Sequence, residues 1–240
     1  MMKPIITLDH VSKTFLEEGR PITAIEDVTL TIHEGEFFVF LGPSGSGKST
    51  LLRIMSGLEK KYRGRVTMDD SITTAFVFQQ FAIWPWMTVE ENIGIGLVAR
   101  GINPRERVAR ELERFGLTKF AHAYPRELSG GMKQRVGIAR ALAVDPHIMF
   151  MDEPFSELDS FTAAALRKEI LSVWKDTHTT IVMVTHLIPE ALDLADRIAV
   201  LTSRPGKIEK VLSNHLPRPR KLRSKEFFKI EDELYALIKP

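Results

Sequence analysis

Five apolar residues at 37–41 (FFVFL) run straight into Gly42-Pro43-Ser44-Gly45-Ser46-Gly47-Lys48-Ser49, and a helix-favouring stretch over 49–56 then closes on Gly57. No other feature constrains the chain as much. A continuous apolar run of strand length belongs inside a sheet covered on both faces, as in parallel sheets. The octet fits the phosphate-loop pattern G-x-x-x-x-G-K-[ST]: its glycines let the backbone turn tightly and lay N–H groups on phosphate oxygens. The helix that follows adds the positive end of its dipole. Gly42, Pro43, Ser44, Gly45, Ser46, Gly47, Lys48, Ser49 and Thr50 are therefore the candidate nucleotide-binding residues. Lys48 is expected to bridge the β- and γ-phosphates, and the Ser49 hydroxyl to bind Mg2+.

The rest of the chain supports an α/β reading. Strand-like runs at 5–8, 28–32, 75–78, 148–151, 181–184 and 198–201 alternate with helical segments, which predicts a mainly parallel sheet. Between 87 and 136 helix signals dominate. Thr88 with Glu91 predicts a capping box, as does Asn103 with Glu106, Pro104 taking the first helical position. Val108, Leu112 and Phe115 fall on one face before Gly116. The expected organisation is one domain over 1–240: an α/β core of 1–86 and 137–215, a helical lobe at 87–136, and a tail at 216–240. In that tail 217–221 should be extended, with a short amphipathic helix near 227–238.

Ile148-Met149-Phe150-Met151-Asp152-Glu153 describes a buried strand delivering two acids to its C-terminal edge, where α/β sheets place ligands. Asp152 is the candidate for the Mg2+ shell and Glu153 for the general base that polarises the attacking water. Farther back, Leu128-Ser129-Gly130-Gly131-Met132-Lys133-Gln134-Arg135 offers a second helix start, with Ser129 as its cap and two glycines that admit close backbone approach to a phosphate.

This octet resembles the signature of ABC-type ATPases, and the resemblance spans roughly 5–215. It implies a phosphate-loop core with a mainly parallel sheet, an antiparallel β-subdomain and an inserted helical lobe. It also explains the second anion site: Leu128, Ser129, Gly130, Gly131 and Gln134 of one subunit close over the ATP held by another, so a head-to-tail pair shares two Mg·ATP. Matched position by position, Gln79 corresponds to the Q-loop glutamine that senses Mg2+ and water, His186 to the switch histidine, and Asp159 to the D-loop that couples the two sites. Phe15 takes the place of the aromatic residue that stacks on adenine. Asp152 and Glu153 stand at the Walker-B and general-base positions.

The run 78–89 (FQQFAIWPWMTV) resembles the Q-loop region of importers for nitrate, sulfonate, taurine or bicarbonate. Ser203-Arg204-Pro205-Gly206-Lys207-Ile208 and Leu216-Pro217-Arg218-Pro219-Arg220 look like two further marks of that branch. The branch implies transmembrane permease subunits as partners, one of which inserts a short helix into a groove after the Q-loop. Phe81, Trp84 and Trp86 are candidates for the apolar wall of that groove. An external solute-binding protein would choose the cargo, and the chain would work at the cytoplasmic face of the inner membrane. A soluble ATPase of an assembly complex, or the ATPase of another ABC transporter class, is the alternative. Glu157 departs from the small residue usual in the D-loop, and Asp69-Asp70-Ser71 lacks an expected turn glycine.

Composition narrows the partners. The 240 residues carry 33 basic and 31 acidic side chains, a net +2 that argues neither for nor against nucleic acid, with no dense basic stripe. Nucleic acid is not an expected partner because the chain has neither the long coiled coil nor the second ATPase domain usual in nucleic-acid machines of the superfamily it resembles. With no cysteine, disulfides and thiolate chemistry are excluded. No apolar stretch approaches the ~18 residues of a membrane helix, and Met1-Met2-Lys3-Pro4 opens no secretory signal. The chain is therefore expected to be soluble and to reach a membrane only through a partner.

Overall fold

The computed structural model describes residues 3–238, so Met1 and Met2 of the leader reading and residues 239–240 of the tail lie outside the described residues. In chain order the elements are β1 (Pro4–Glu17), β2 (Arg20–His33), β3 (Phe37–Leu41), α1 (Lys48–Met55), β4 (Arg63–Thr67), β5 (Thr74–Val77), α2 (Val89–Val98), α3 (Arg105–Arg114), α4 (Gly130–Ala143), β6 (Ile148–Asp152), α5 (Ser160–Thr177), β7 (Thr180–Thr185), α6 (Ile188–Leu194), β8 (Arg197–Leu201), β9 (Ile208–Ser213) and α7 (Lys225–Ile238). They divide into two compact units, one built from residues up to 71 together with 178 onward, the other from 72–177.

The first unit holds an antiparallel sheet of order β2-β1-β4. β1 and β2 form a long hairpin that continues to the Glu17↔Arg20 pair, well beyond the short runs at 5–8 and 28–32. In the same unit β3 pairs in parallel with β7 on one side and β8 on the other, and β9 closes the edge antiparallel to β8. Every residue of β3 and β7 is buried, as strands covered on both faces require. Helices α1 and α6 pack on these strands, and α7 packs on α6 and β8.

The strands β4 and β9 were not expected. Both are edge strands, and most of their residues are partly or fully exposed. Their pairing is imposed by a neighbour rather than by their own pattern. The missing turn glycine after β4 is replaced by Asp69, whose Oδ1 accepts from the Ser71 N–H at 2.9 Å and the Ser71 hydroxyl at 2.6 Å.

In the second unit β5 lies parallel to the fully buried β6. Helix α4 packs against α2, α3, α5 and β5. The expected helical lobe falls within this unit, and its expected bound at 136 lies inside α4, which continues unbroken to Ala143. Thr88 caps α2 in a complete capping box. At α3 the expected box does not form. Pro104 itself takes the N-cap position, and Asn103 Oδ1 accepts from the Arg105 N–H at 3.1 Å. Val108, Leu112 and Phe115 are buried, and Gly116 ends the segment at φ 63°. In the first unit the 217–221 segment bends at residues 218–219 instead of running extended. Among the described residues no helix is long and apolar enough to cross a membrane.

Candidate functional site

The phosphate loop leaves the buried end of β3 and enters α1. Gly45 and Gly47 have φ of 78° and 84°, left-handed values that a side chain resists. A Cβ on Gly47 would lie 2.6 Å from the Ala24 carbonyl oxygen, and one on Gly42 would lie 2.8 Å from that of Leu201. The loop is thus seated tightly on β2 and β8. Lys48 is buried, and its Nζ donates to the carbonyls of Gly42 and Pro43, both at 2.9 Å. This lashes the ammonium across the loop where the fold places the α1 dipole. Ser46 is fully buried, Ser44 and Gly45 are exposed, and Ser49 and Thr50 lie half-buried in the first turn of α1. Thus the loop offers anion-binding N–H groups, one fixed cation and a hydroxyl oxygen.

Two other expected residues belong to this unit. His186 directly follows β7 and is exposed. Phe15 lies near the end of β1 opposite Ile22, over a third exposed, with the Lys13 ammonium 4.5 Å from its ring centroid. Lys13 is buried and held by Glu59 at 3.1 Å, so that side of the ring already faces a cation.

In the second unit β6 ends with Asp152 buried and Glu153 immediately beyond it, at φ 43°. A left-handed glutamate is uncommon and strained, and such strain concentrates at functional sites. Gln79 is exposed two residues past the end of β5. Ser129 is the N-cap of α4, its Oγ accepting from the Met132 N–H at 3.3 Å. The signature and the D-loop adjoin each other here. A Cβ on Gly131 would lie 2.6 Å from Thr162 Cγ2 of α5, so this glycine is required by helix packing as well as by any approach of phosphate. Asp159 Oδ1 in turn accepts from the N–H groups of Phe161 and Thr162, both at 3.0 Å. The Thr162 bonds, followed by that of Phe161, hold the Asp159 carboxyl below the usual aspartate range. Leu128 and Gln134 are buried, and Gly130 and Glu157 are exposed.

Trp84 and Trp86 are exposed, with ring centroids 5.2 Å apart, and the Phe81 ring faces Gly130. A groove of about 570 Å³ lies between α2 and α3, and its apolar lining includes Met87, Ile95, Val98, Pro104, Val108 and Leu112. Glu90 and Glu91 stand at one side of it and Arg105 at the other. None of the three aromatic residues lines it.

For a metal, no group of three His, Asp or Glu side chains able to hold an ion occurs among the described residues. Ser49 and Asp152 offer single hard oxygens. Each is the donor type that fits Mg2+, which takes one or two protein oxygens and completes its shell with phosphate and water.

Comparison with known proteins now decides the family: residues 25–156 match the model described as ABC transporter. The chain belongs to that family. Among curated ABC transporter relatives, the aliphatic sulfonates import ATP-binding protein SsuB of Bacillus cereus is 40% identical, covering 95% of this chain and 94% of its own. The nitrate import ATP-binding protein NrtD of Synechocystis is 39% identical over 98% of this chain and 95% of its own. Among solved structures, the dimeric post-hydrolysis state of the ATP-binding cassette MJ0796 bound to ADP and Pi has TM-score 0.78 and 35% identity. It covers 88% of this chain and 99% of that one. As an ABC transporter cassette this chain is an ATPase, with an α/β fold that combines a parallel and an antiparallel sheet.

Sequence reasoning missed two residues in this ABC cassette. Thr162 sets the approach of α5 to Gly131, and nothing local in its sequence marks it. Asn92 is fully buried and pins the tryptophan loop: Oδ1 accepts from the Trp84 N–H at 2.7 Å, and Nδ2 donates to the carbonyls of Trp84, Met87 and Thr88 at 3.1, 3.0 and 2.9 Å. An asparagine on the apolar side of a helix was the available signal.

Proposed function

We propose that this chain is the ATP-binding and hydrolysing subunit that powers import of a small anionic solute through a membrane permease. Two copies, or one copy and a sister subunit, pair head to tail. Each phosphate loop, residues 42–50, holds an ATP whose adenine rests against Phe15, and Ser129, Gly130, Gly131 and Gln134 of the other subunit close over its γ-phosphate. Glu153 takes a proton from a water as that water attacks the γ-phosphorus, and the bond to the β-phosphate oxygen breaks, leaving ADP and Pi. Gln79 and His186 orient the water and the γ-phosphate, and Asp159 links one site to the other. Ser49, Asp152 and Gln79 would hold Mg2+, which would neutralise phosphate charge.

The observation that carries this reading is the presence in one chain of two anion-binding helix starts, the Lys48-laced loop before α1 and the Ser129-capped α4. One chain needs one such site for one nucleotide. The second is explained by a partner's ATP, and the dimeric MJ0796 cassette supports that pairing. The import direction and the anionic cargo rest on the sulfonate and nitrate import relatives. The α2–α3 groove takes an apolar helix of the permease, and the chain works peripherally at the cytoplasmic face. An external binding protein selects the solute.

Purification of the chain from its native membranes in mild detergent tests the assignment. A many-spanning membrane protein in the complex supports it, and soluble partners alone transfer the chain to an assembly role. Glu153→Gln tests the chemistry: ATP binding stays and turnover falls by about 10²–10⁴. Normal hydrolysis in that variant refutes the assigned base.

A further inference from the structure

The segment 202–207 joins β8 to β9 and has no part in the chemistry described so far, yet it lies directly on the phosphate loop. Arg204 Nε donates to the Gly45 carbonyl at 3.2 Å, the only hydrogen bond Arg204 makes among the described residues. The same peptide is held from its other end, since the Ser46 N–H donates to the Pro43 carbonyl at 3.3 Å. Gly206 is inserted beside β2, donating to the Ala24 carbonyl at 2.9 Å and accepting from the Glu26 N–H at 3.0 Å. A Cβ on Gly206 would lie 2.0 Å from the Ser46 carbonyl oxygen, so the two backbones are in direct contact.

The segment is itself braced. Thr202 N–H donates to the Lys207 carbonyl at 3.0 Å, the Thr202 hydroxyl donates to the Pro205 carbonyl at 2.8 Å and accepts from the Lys207 N–H at 3.0 Å. Lys207 Nζ also meets Glu26 at 3.2 Å.

We propose that residues 202–207 are an outer clamp on the phosphate loop, with Arg204 and Gly206 as positioning residues that set the affinity for ATP. The physical argument begins with Gly45. A glycine has the widest backbone freedom of any residue, so the left-handed geometry at Gly45 is easily reached and as easily lost. A loop that binds phosphate through its N–H groups must keep its carbonyls turned away from the anion. Arg204 holds the Gly45 carbonyl outward, and the Gly206 backbone blocks Ser46 from moving back. The clamp lowers the ordering that ATP would otherwise impose, which raises affinity without a contact to the reacting atoms. The guanidinium also adds a positive charge beside the loop.

The inference rests on residues 42–49 being the nucleotide site, so Lys48→Ala serves as the reference. In the full chain, Arg204→Ala should raise Kd and KM for ATP about five- to tenfold, the scale of one ordinary net hydrogen bond. The kcat should stay within about twofold and the melting temperature without nucleotide should hold, because the lost bond is local and exposed. Arg204→Lys should restore part of the affinity, since an ammonium can reach a single carbonyl. Gly206→Ala should weaken ATP binding at least as much. If Arg204→Ala leaves Kd unchanged while Lys48→Ala abolishes binding, the clamp is wrong and the phosphate loop stands. If Lys48→Ala also binds ATP normally, the site reading fails and takes the clamp with it. A rise in Kd that comes with a matching fall in nucleotide-free melting temperature, and that Arg204→Lys does not reverse, also overturns the proposal.

Discussion

Replacing Asn92 separates two roles of one buried amide. The side chain is fully buried and makes four hydrogen bonds, all to the backbone of residues 84–88. Nδ2 has two hydrogens to share among its three carbonyls, so at about 1 kcal/mol net per bond Asn92→Ala has a ceiling of about 3 kcal/mol. Trp84 is 43% exposed, so water reaches part of the freed backbone and the expected loss is about 2–3 kcal/mol. For a chain of this length that lowers the melting temperature by roughly 5–10 °C. Asn92→Asp should be worse, although it keeps the acceptor and the shape. Its second carboxylate oxygen would face the three carbonyls that Nδ2 now serves, an unpaired buried charge against like dipoles. The assay combines thermal melting with near-ultraviolet circular dichroism, which reads the coupling of the Trp84 and Trp86 rings at 5.2 Å. Loss of that coupling in Asn92→Ala, with a lower melting point still in Asn92→Asp, is the expected result. An Asp variant at least as stable as the Ala variant at neutral pH, or an unchanged tryptophan signal in Asn92→Ala, refutes the account.

Other expectations follow from single sites. Arg220 is buried, its two Nη groups donating at 2.7 Å to the carbonyls of Leu192 and Ala195 at the end of α6, and burial, then Arg218, push its pKa down to about 10. Arg220→Ala should therefore destabilise the fold by about 2–4 kcal/mol in chemical denaturation, and Arg220→Lys should recover less than half because an ammonium cannot span both carbonyls. In the groove, Val98 is 57% exposed, so Val98→Glu should leave ATPase activity and melting temperature unchanged. The same change should remove the membrane partner from the detergent-purified complex; retention of that partner would mean the groove is not its dock. For Asp159 the folded pKa is depressed, so its cap on α5 is complete above the unfolded aspartate value near 3.8 and is lost as pH falls through the lower folded value. Amide exchange of Phe161 and Thr162 should accelerate over that acid range in the native chain, and Asp159→Ala should show the faster exchange already at neutral pH.

What the sequence determined by itself was local. The phosphate loop, the Ser129 and Thr88 caps and the apolar runs of strands β3, β6 and β7 could be read because neighbouring residues alone dictate a tight turn, a helix start or a strand covered on both faces. Family membership was legible for the same reason, since LSGGMKQR and GPSGSGKS are contiguous. Other features had no local signature. β4 and β9 are edge strands created by pairing with β1 and β8. The groove between α2 and α3 and the hold of Asn92 on the tryptophan loop have no contiguous signature either. The need for Gly131 depends on Thr162, 31 positions later, and the seating of Gly45 depends on Arg204, 159 positions later. Such contacts arise only when distant backbones are brought within a few ångströms, and a glycine or an arginine at the closing point looks the same in sequence whether or not that closure occurs.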